Sequence, residues 1–213
     1  MRTVKEAEER KNEILDVAER LFGTKGFDNT STSDILNEVG IARGTLYYHF
    51  KSKEDILDAM IDRMTGRLVE KAAALLAKKE IPVMRRLTMM MTALNVNGSL
   101  GQEIMAQVHK PQNALMHQKM QERLLAGVNP LITGLIREGM AQGICRTEYP
   151  AEVAEMTLLY SNTVFDTLAE HGKEERERKI NAFIYNLERL LGMERGSMEA
   201  AILPIFQNDG EPV

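Results

Sequence analysis

The sequence predicts an all-α protein, with an N-terminal three-helix helix-turn-helix domain and a larger C-terminal helical domain. Three observations point there. Apolar side chains recur at the 3.6-residue spacing of helices along nearly the whole chain, and no run alternates with the period of two that marks a strand. The stretches between them hold glycine, proline or Ser/Thr/Asp capping signals. Two short helical segments meet at a glycine in "EVGIARG", the spacing of a helix-turn-helix. A length of 213 residues with 44% apolar and 27% charged side chains suits such a small domain joined to a larger one. The expected division is 1–52 and 53–213.

In chain order, Ile14, Leu15, Ala18, Leu21 and Phe22 place a helix over 5–24, loosened at Gly23 and Gly26. "NTSTSDILNEVG" starts the next helix: Thr30 or Ser31 caps it, Asp34 suits its positive end and Gly40 stops it. "ARGTLYYHF" is the second short helix. Ser52 with Asp55 resembles a capping box and opens a helix to about Lys79. Pro82 opens another, which "NVNGSLG" breaks; a shorter helix then reaches Lys110 before Pro111. Residues 113–142 read as one long helix with Pro130 as a kink. After the loop "QGICRTEYP", helices are expected over 151–171 and 173–192, then an amphipathic "MEAAILPIF".

The opening motif raises the functional question. Ile35, Val39, Ile41 and Leu46 fall where its two helices pack together, so the second helix is left with a polar outer side. Between Thr32 and Phe50 that side offers Arg43, Gly44, Thr45, Tyr47, Tyr48 and His49. Arg43 suits either guanine O6 and N7 or a phosphate; Gly44 allows close backbone approach; Thr45 suits a base or a thymine methyl. Tyr47, His49 and Lys53 suit phosphates. A net charge of −4 does not oppose this, because residues 1–53 balance nine basic against nine acidic side chains. The plain alternative is a solvated helical hairpin with its aromatics packed on the third helix.

At "GIARGTLYYHFKSKEDIL", with "ILDVAERLFGTKGFDNTSTSDIL" before it, the sequence resembles the DNA-binding signature of the tetracycline-repressor-like (TetR) transcriptional regulators. The likeness runs from about Ile14 to Leu57; further on, "VNPLITGLIREGMAQGI" is similar to a kinked helix of that family. The resemblance implies a homodimeric repressor of palindromic double-stranded operator DNA, released when its C-terminal domain binds a small molecule. Two residues depart from the family pattern. Leu36 stands where a small residue is usual, and Ala42 stands where a serine often starts the recognition helix. The latter removes a cap worth ~1 kcal/mol.

For the remainder, the fourteen methionines suggest either core filler or an adaptable apolar pocket. The expected lining is Met89, Met90, Met105, Met116, Met120 and Met156, with Asn95, His109, His117 and Tyr160 as polar contacts. The dimer is expected along the last two long helices, through Val164, Leu168, Ile180, Phe183, Ile184, Leu187 and Leu191, unless those stripes are used within one chain. An enzyme is not expected: the chain has no Gly-rich phosphate loop and no nucleophile elbow, and its four histidines lack metal-ligand spacing. No cofactor is implied. A protein-binding adaptor would explain the helices but leave Tyr47, His49 and Lys53 without a task. The charged N-terminus and the lack of a long apolar run lead to the expectation of a cytoplasmic chain, in which the single Cys145 has no internal disulfide partner.

Overall fold

The computed structural model describes residues 2–94, 113–165 and 171–207. Its helices are α1 (Arg2–Lys25), α2 (Thr32–Val39), α3 (Arg43–His49), α4 (Lys53–Leu76), α5 (Val83–Leu94), α6 (Ala114–Ala141), α7 (Pro150–Tyr160), α8 (Lys173–Leu190) and α9 (Glu199–Gln207). Among the described residues there is no strand. The chain divides into two compact units. The first holds described residues 2–66 and 113–123; the second holds 67–94, 124–165 and 171–207. The unit containing the helix-turn-helix therefore reaches past residue 52, and the division falls inside α4 and α6.

In the first unit, Ile14, Ala18 and Phe22 of α1 are fully buried, as are Ile35 of α2 and Ile56, Leu57 and Met60 of α4. They recur at helical spacing, so each helix turns one side inward. Phe22 and Phe27 meet edge to face at 5.2 Å. Burying one such side chain contributes about 1.5–3 kcal/mol. Arg63 of α4 ties back to α1, with Asp16 at 2.8 Å and Glu19 at 2.9 Å.

The second unit has two linked cores. One joins the end of α4, α5 and α6 through Ala72, Leu76, Val83, Met90 and Leu135. The other joins α6, α7, α8 and α9 around Ile136, Val153, Phe183, Ile184, Leu187 and Ile202. Gly127 lets α6 approach α4: a Cβ there would lie 2.6 Å from Val69 Cγ2. Two charged side chains are almost fully buried. Arg86 donates to the carbonyls of Leu76 at 2.7 Å and Ile81 at 2.9 Å, and pairs with Glu138. Glu188 accepts from the N–H groups of Gly196 and Met198, both at 2.9 Å.

The helix expected over 151–171 is α-helical only to Tyr160 and π-helical over Ser161–Phe165. Three hydroxyls there return to carbonyls four residues back: Thr157 to Val153, Ser161 to Thr157 and Thr163 to Leu159. Such back-bonding competes with the helix ladder and loosens it. Pro130 lies inside α6, where its missing N–H leaves the Ala126 carbonyl without the usual donor.

Candidate nucleic-acid interface

The site begins with the cap of α2. Ser31 accepts from the Asp34 N–H at 3.1 Å, and Asp34 accepts from the Ser31 N–H at 2.8 Å. The Ser31 hydroxyl, which donates to Asp34 Oδ2 at 2.7 Å, and then the Ser31 N–H, with Lys25 alongside, hold the pKa of the Asp34 carboxyl down at about 2. Of the two candidate caps, Ser31 takes the role. Thr30 is buried instead, donating to the Gly26 carbonyl at 2.8 Å. α2 ends at Gly40 with φ 71°, whose N–H donates to Leu36 at 2.9 Å. A left-handed residue there turns the chain toward α3 at no steric cost to glycine. Ala42 precedes α3 without a side-chain cap. Leu36, bulkier than the family pattern, is accommodated half-buried.

α3 is seven residues long and contains a glycine, so it is too short to be stable alone. Leu46, 1% exposed, and Phe50 just after it hold the helix to the core. Its other side faces solvent. Arg43, Gly44, Tyr47 and Tyr48 are exposed there, and Thr45 and His49 are half-buried. A Cβ on Gly44 would meet nothing within 4 Å, so the backbone at that point is open to approach. The Arg43 guanidinium lies 5.6 Å from the Tyr47 ring centre. Its hydrogen bond and charge hold the Tyr47 phenol below its ordinary value, with a smaller share from Thr32. The structure thus brings Thr32, Arg43 and Tyr47 together. Tyr48, 79% exposed, meets the His49 ring edge to face at 5.0 Å. Arg43 and Lys51, at either end of α3, have no carboxylate partner among the described residues, whereas Arg20 and Lys25 pair with Glu38 and Asp34.

Lys53 is placed differently from its neighbours in the motif. Its Nζ donates to the Phe27 carbonyl at 2.8 Å and lies 4.2 Å from the Phe27 ring centre. Sequence reasoning missed Asn113. It is buried, accepts from the Phe27 N–H at 2.8 Å and donates to the Phe22 carbonyl at 3.3 Å. Lys119 and Arg123 further along α6 reach Asp58 at 2.6 Å and Asp62 at 2.7 Å on α4. A lone asparagine two residues after a proline carries no pattern that would have announced this clamp.

The residues expected to line one ligand pocket are divided between the two units, with three outside the described residues. Met116, His117 and Met120 lie in the first unit, and both methionines are buried there. Met89 and Met90 lie on α5 in the second unit, where Met90 is fully buried in the core. Met156 and Tyr160 are exposed on α7, and the Tyr160 ring stacks on Phe183 at 5.6 Å. Asn95, Met105 and His109 lie outside the described residues, as does Leu168. Of the expected dimer stripe, Ile180, Phe183, Ile184, Leu187 and Leu191 are buried within the chain itself, and Val164 is half-buried. Side chains already removed from water have little area left to give a partner. The large apolar side chains that remain exposed on α7 and α8 are Met156, Leu159, Tyr160, Tyr185 and Leu190.

The family model described as bacterial regulatory proteins, tetR family, matches residues 14–60, and that of the tetracyclin repressor-like C-terminal domain matches 93–185. Together they cover more than half of the chain. It belongs to the TetR family. The HTH-type transcriptional regulator AcrR of Shigella flexneri is 46% identical over 55 residues, 26% of each chain. The chain thus matches about a quarter of that relative's length. The fatty acid metabolism regulator protein of Bacillus subtilis is 27% identical over 134 residues, 62% of this chain and 68% of the relative. The crystal structure of a TetR-family transcriptional regulator from Pectobacterium atrosepticum has a TM-score of 0.64 at 22% identity, covering 90% of this chain and 98% of that one. That last likeness is one of fold. TetR membership agrees with the motif at Gly40 to His49 and with a described structure made of helices.

Proposed function

We propose that the chain is a DNA-binding transcriptional regulator: a repressor that binds a palindromic operator as a homodimer and is released by a small, largely apolar effector. The observation that carries this is the two-sided α3, with Leu46 buried and Arg43, Gly44, Tyr47 and Tyr48 exposed together. A helix of that kind suits a major groove, and two-fold symmetry would place the pair roughly 34–36 Å apart, or a multiple of that. Arg43 and Thr45 are assigned to bases, and Tyr47, Tyr48, His49 and Thr32 to the sugar-phosphate backbone. Lys53 has one donor on Phe27 and two left for a phosphate. The exposed apolar side chains of α7 and α8 are the natural material of a subunit interface. Effector release requires a ligand that favours the DNA-incompetent form; a tenfold loss of DNA affinity needs ~1.4 kcal/mol of that preference.

The test is a set of variants on matched cognate and scrambled duplexes. Arg43→Ala should change base preference by ~1–3 kcal/mol if its fork reads guanine. Tyr47→Phe should weaken both duplexes alike, because phosphates carry no sequence. Equal losses on both duplexes for Arg43→Ala and Thr45→Ala would remove the base-reading assignment.

A further inference from the structure

The structure assigns a second site. We infer that the groove between the end of α4, α5 and the start of α9 binds a small amphipathic anion, a carboxylate carried on a hydrocarbon body. This rests on the effector reading above and names its chemistry. The groove has a volume of about 710 Å³, within the ~300–1,000 Å³ range of small-molecule sites. Its described lining residues all belong to the second unit. On α5, Arg85, Thr88, Met89 and Thr92 share one side, as their spacing of three and four requires. On α4, Lys71 and Leu75 do the same.

Charge narrows the ligand. Among the described residues the lining contains two cations, Lys71 and Arg85, and no carboxylate. Among the described residues neither cation has an ion-pair partner, while Arg86 and Lys79 of the same unit both reach Glu138. Arg85 offers a planar fork that matches a carboxylate, and Lys71 a second positive charge. The rest suits an alkyl or aryl body. Met84 and Met89 adapt to irregular apolar shapes, and Ala93, Ala200 and Ala201 leave the space open. One wall is tied in place: Thr88 Oγ1 donates to the Ala201 carbonyl at 3.0 Å, which joins α5 to α9. Of the described side chains that the sequence assigned to a ligand, only Met89 lines this groove.

Isothermal titration of dodecanoate, below its micelle concentration, into the full chain tests the assignment, with dodecyltrimethylammonium as the cation of the same length. Dodecanoate should saturate at about one per chain and the ammonium should not bind. Lys71→Gln with Arg85→Gln should weaken dodecanoate roughly tenfold or more, the scale expected for losing charge-assisted bonds. Ala200→Trp, which fills the groove from an exposed position, should abolish binding with its thermal unfolding midpoint unchanged. No saturable binding of dodecanoate, equal binding of the ammonium, or wild-type affinity in both variants overturns the site. DNA titration of the same samples separates the two readings. Dodecanoate that saturates but leaves DNA affinity unchanged supports the site and sinks the effector reading. A chain that binds DNA and not dodecanoate overturns the site and leaves the DNA-binding reading standing.

Discussion

Within the helix-turn-helix and the start of α4 the structural devices are local; in the second unit the bonds that tie α5 to α6 and α9 span long stretches of sequence. Ser31 and Asp34 form their cap three residues apart, and Gly40 closes α2 on Leu36 four residues back. Asp55 donates its N–H to Ser52 at 3.0 Å, again three residues apart. In the second unit Arg86 meets Glu138 across 52 residues, and Thr88 meets Ala201 across 113. The polar groups also face different ways. α3 turns its polar side chains outward, whereas Arg86 and Glu188 are almost fully buried. An outward polar side is available to a macromolecule as it stands. A buried charge, fully bonded by its own chain, serves to fix helix positions.

The contrast can be broken most severely at Arg86. Arg86→Met would take from Glu138 its buried partner, leaving it Lys79 and Gln142, and would strip two carbonyls of their donor, a loss of about 3 kcal/mol in urea unfolding. Acid sharpens the same point. The Arg86 hydrogen bond, then that of Lys79, holds Glu138 at about 2, against 4.5 for an unperturbed glutamate. Because the folded value is the lower one, its stabilisation is complete above 4.5 and is lost as pH falls through about 2. Glu138→Gln should therefore flatten the dependence of the unfolding midpoint on pH across that window.

Changes in the first unit should act locally and be smaller. Gly40→Ala places a Cβ at φ 71°, which costs about 1–2 kcal/mol and is read by the same unfolding curve. The smallest change is a gain. Ala42→Ser would supply the cap that α3 lacks, adding about 1 kcal/mol or less if the hydroxyl reaches the free N–H groups. A larger effect for Ala42→Ser than for Arg86→Met would reverse the comparison.

The same difference in range explains what was legible in the sequence. The cap at Ser31, the left-handed turn at Gly40, the buried Leu46 and the outward Arg43 and Tyr47 follow from spacings of a turn or less. Helix existence was legible across the described residues, and α6 at Ala114–Ala141 matches the expected 113–142 almost to the residue. What spacing could not show was which partner an apolar stripe meets. Ile180, Phe183 and Leu187 make an equally good stripe for a neighbouring helix or a second subunit, and the structure uses them within the chain. Lys53 reads as a phosphate ligand, and spacing could not show that the Phe27 carbonyl, 26 residues earlier, takes one of its donors. Asn113 and Arg86 gave no signal, because a single polar residue in a helical pattern does not declare that it is buried.

The central claim is that the outward side of α3 reads DNA. Its most direct test is fluorescence titration of the wild-type chain, at low and moderate salt, against genomic fragments and against bulk DNA. At least one fragment containing a palindrome should bind with about 10³-fold or greater preference over bulk DNA, the lower end of the range for specific regulators. That preference should persist as added salt weakens both. If no fragment binds better than bulk DNA at low salt, the exposed side of α3 is a solvated surface and the account is contradicted.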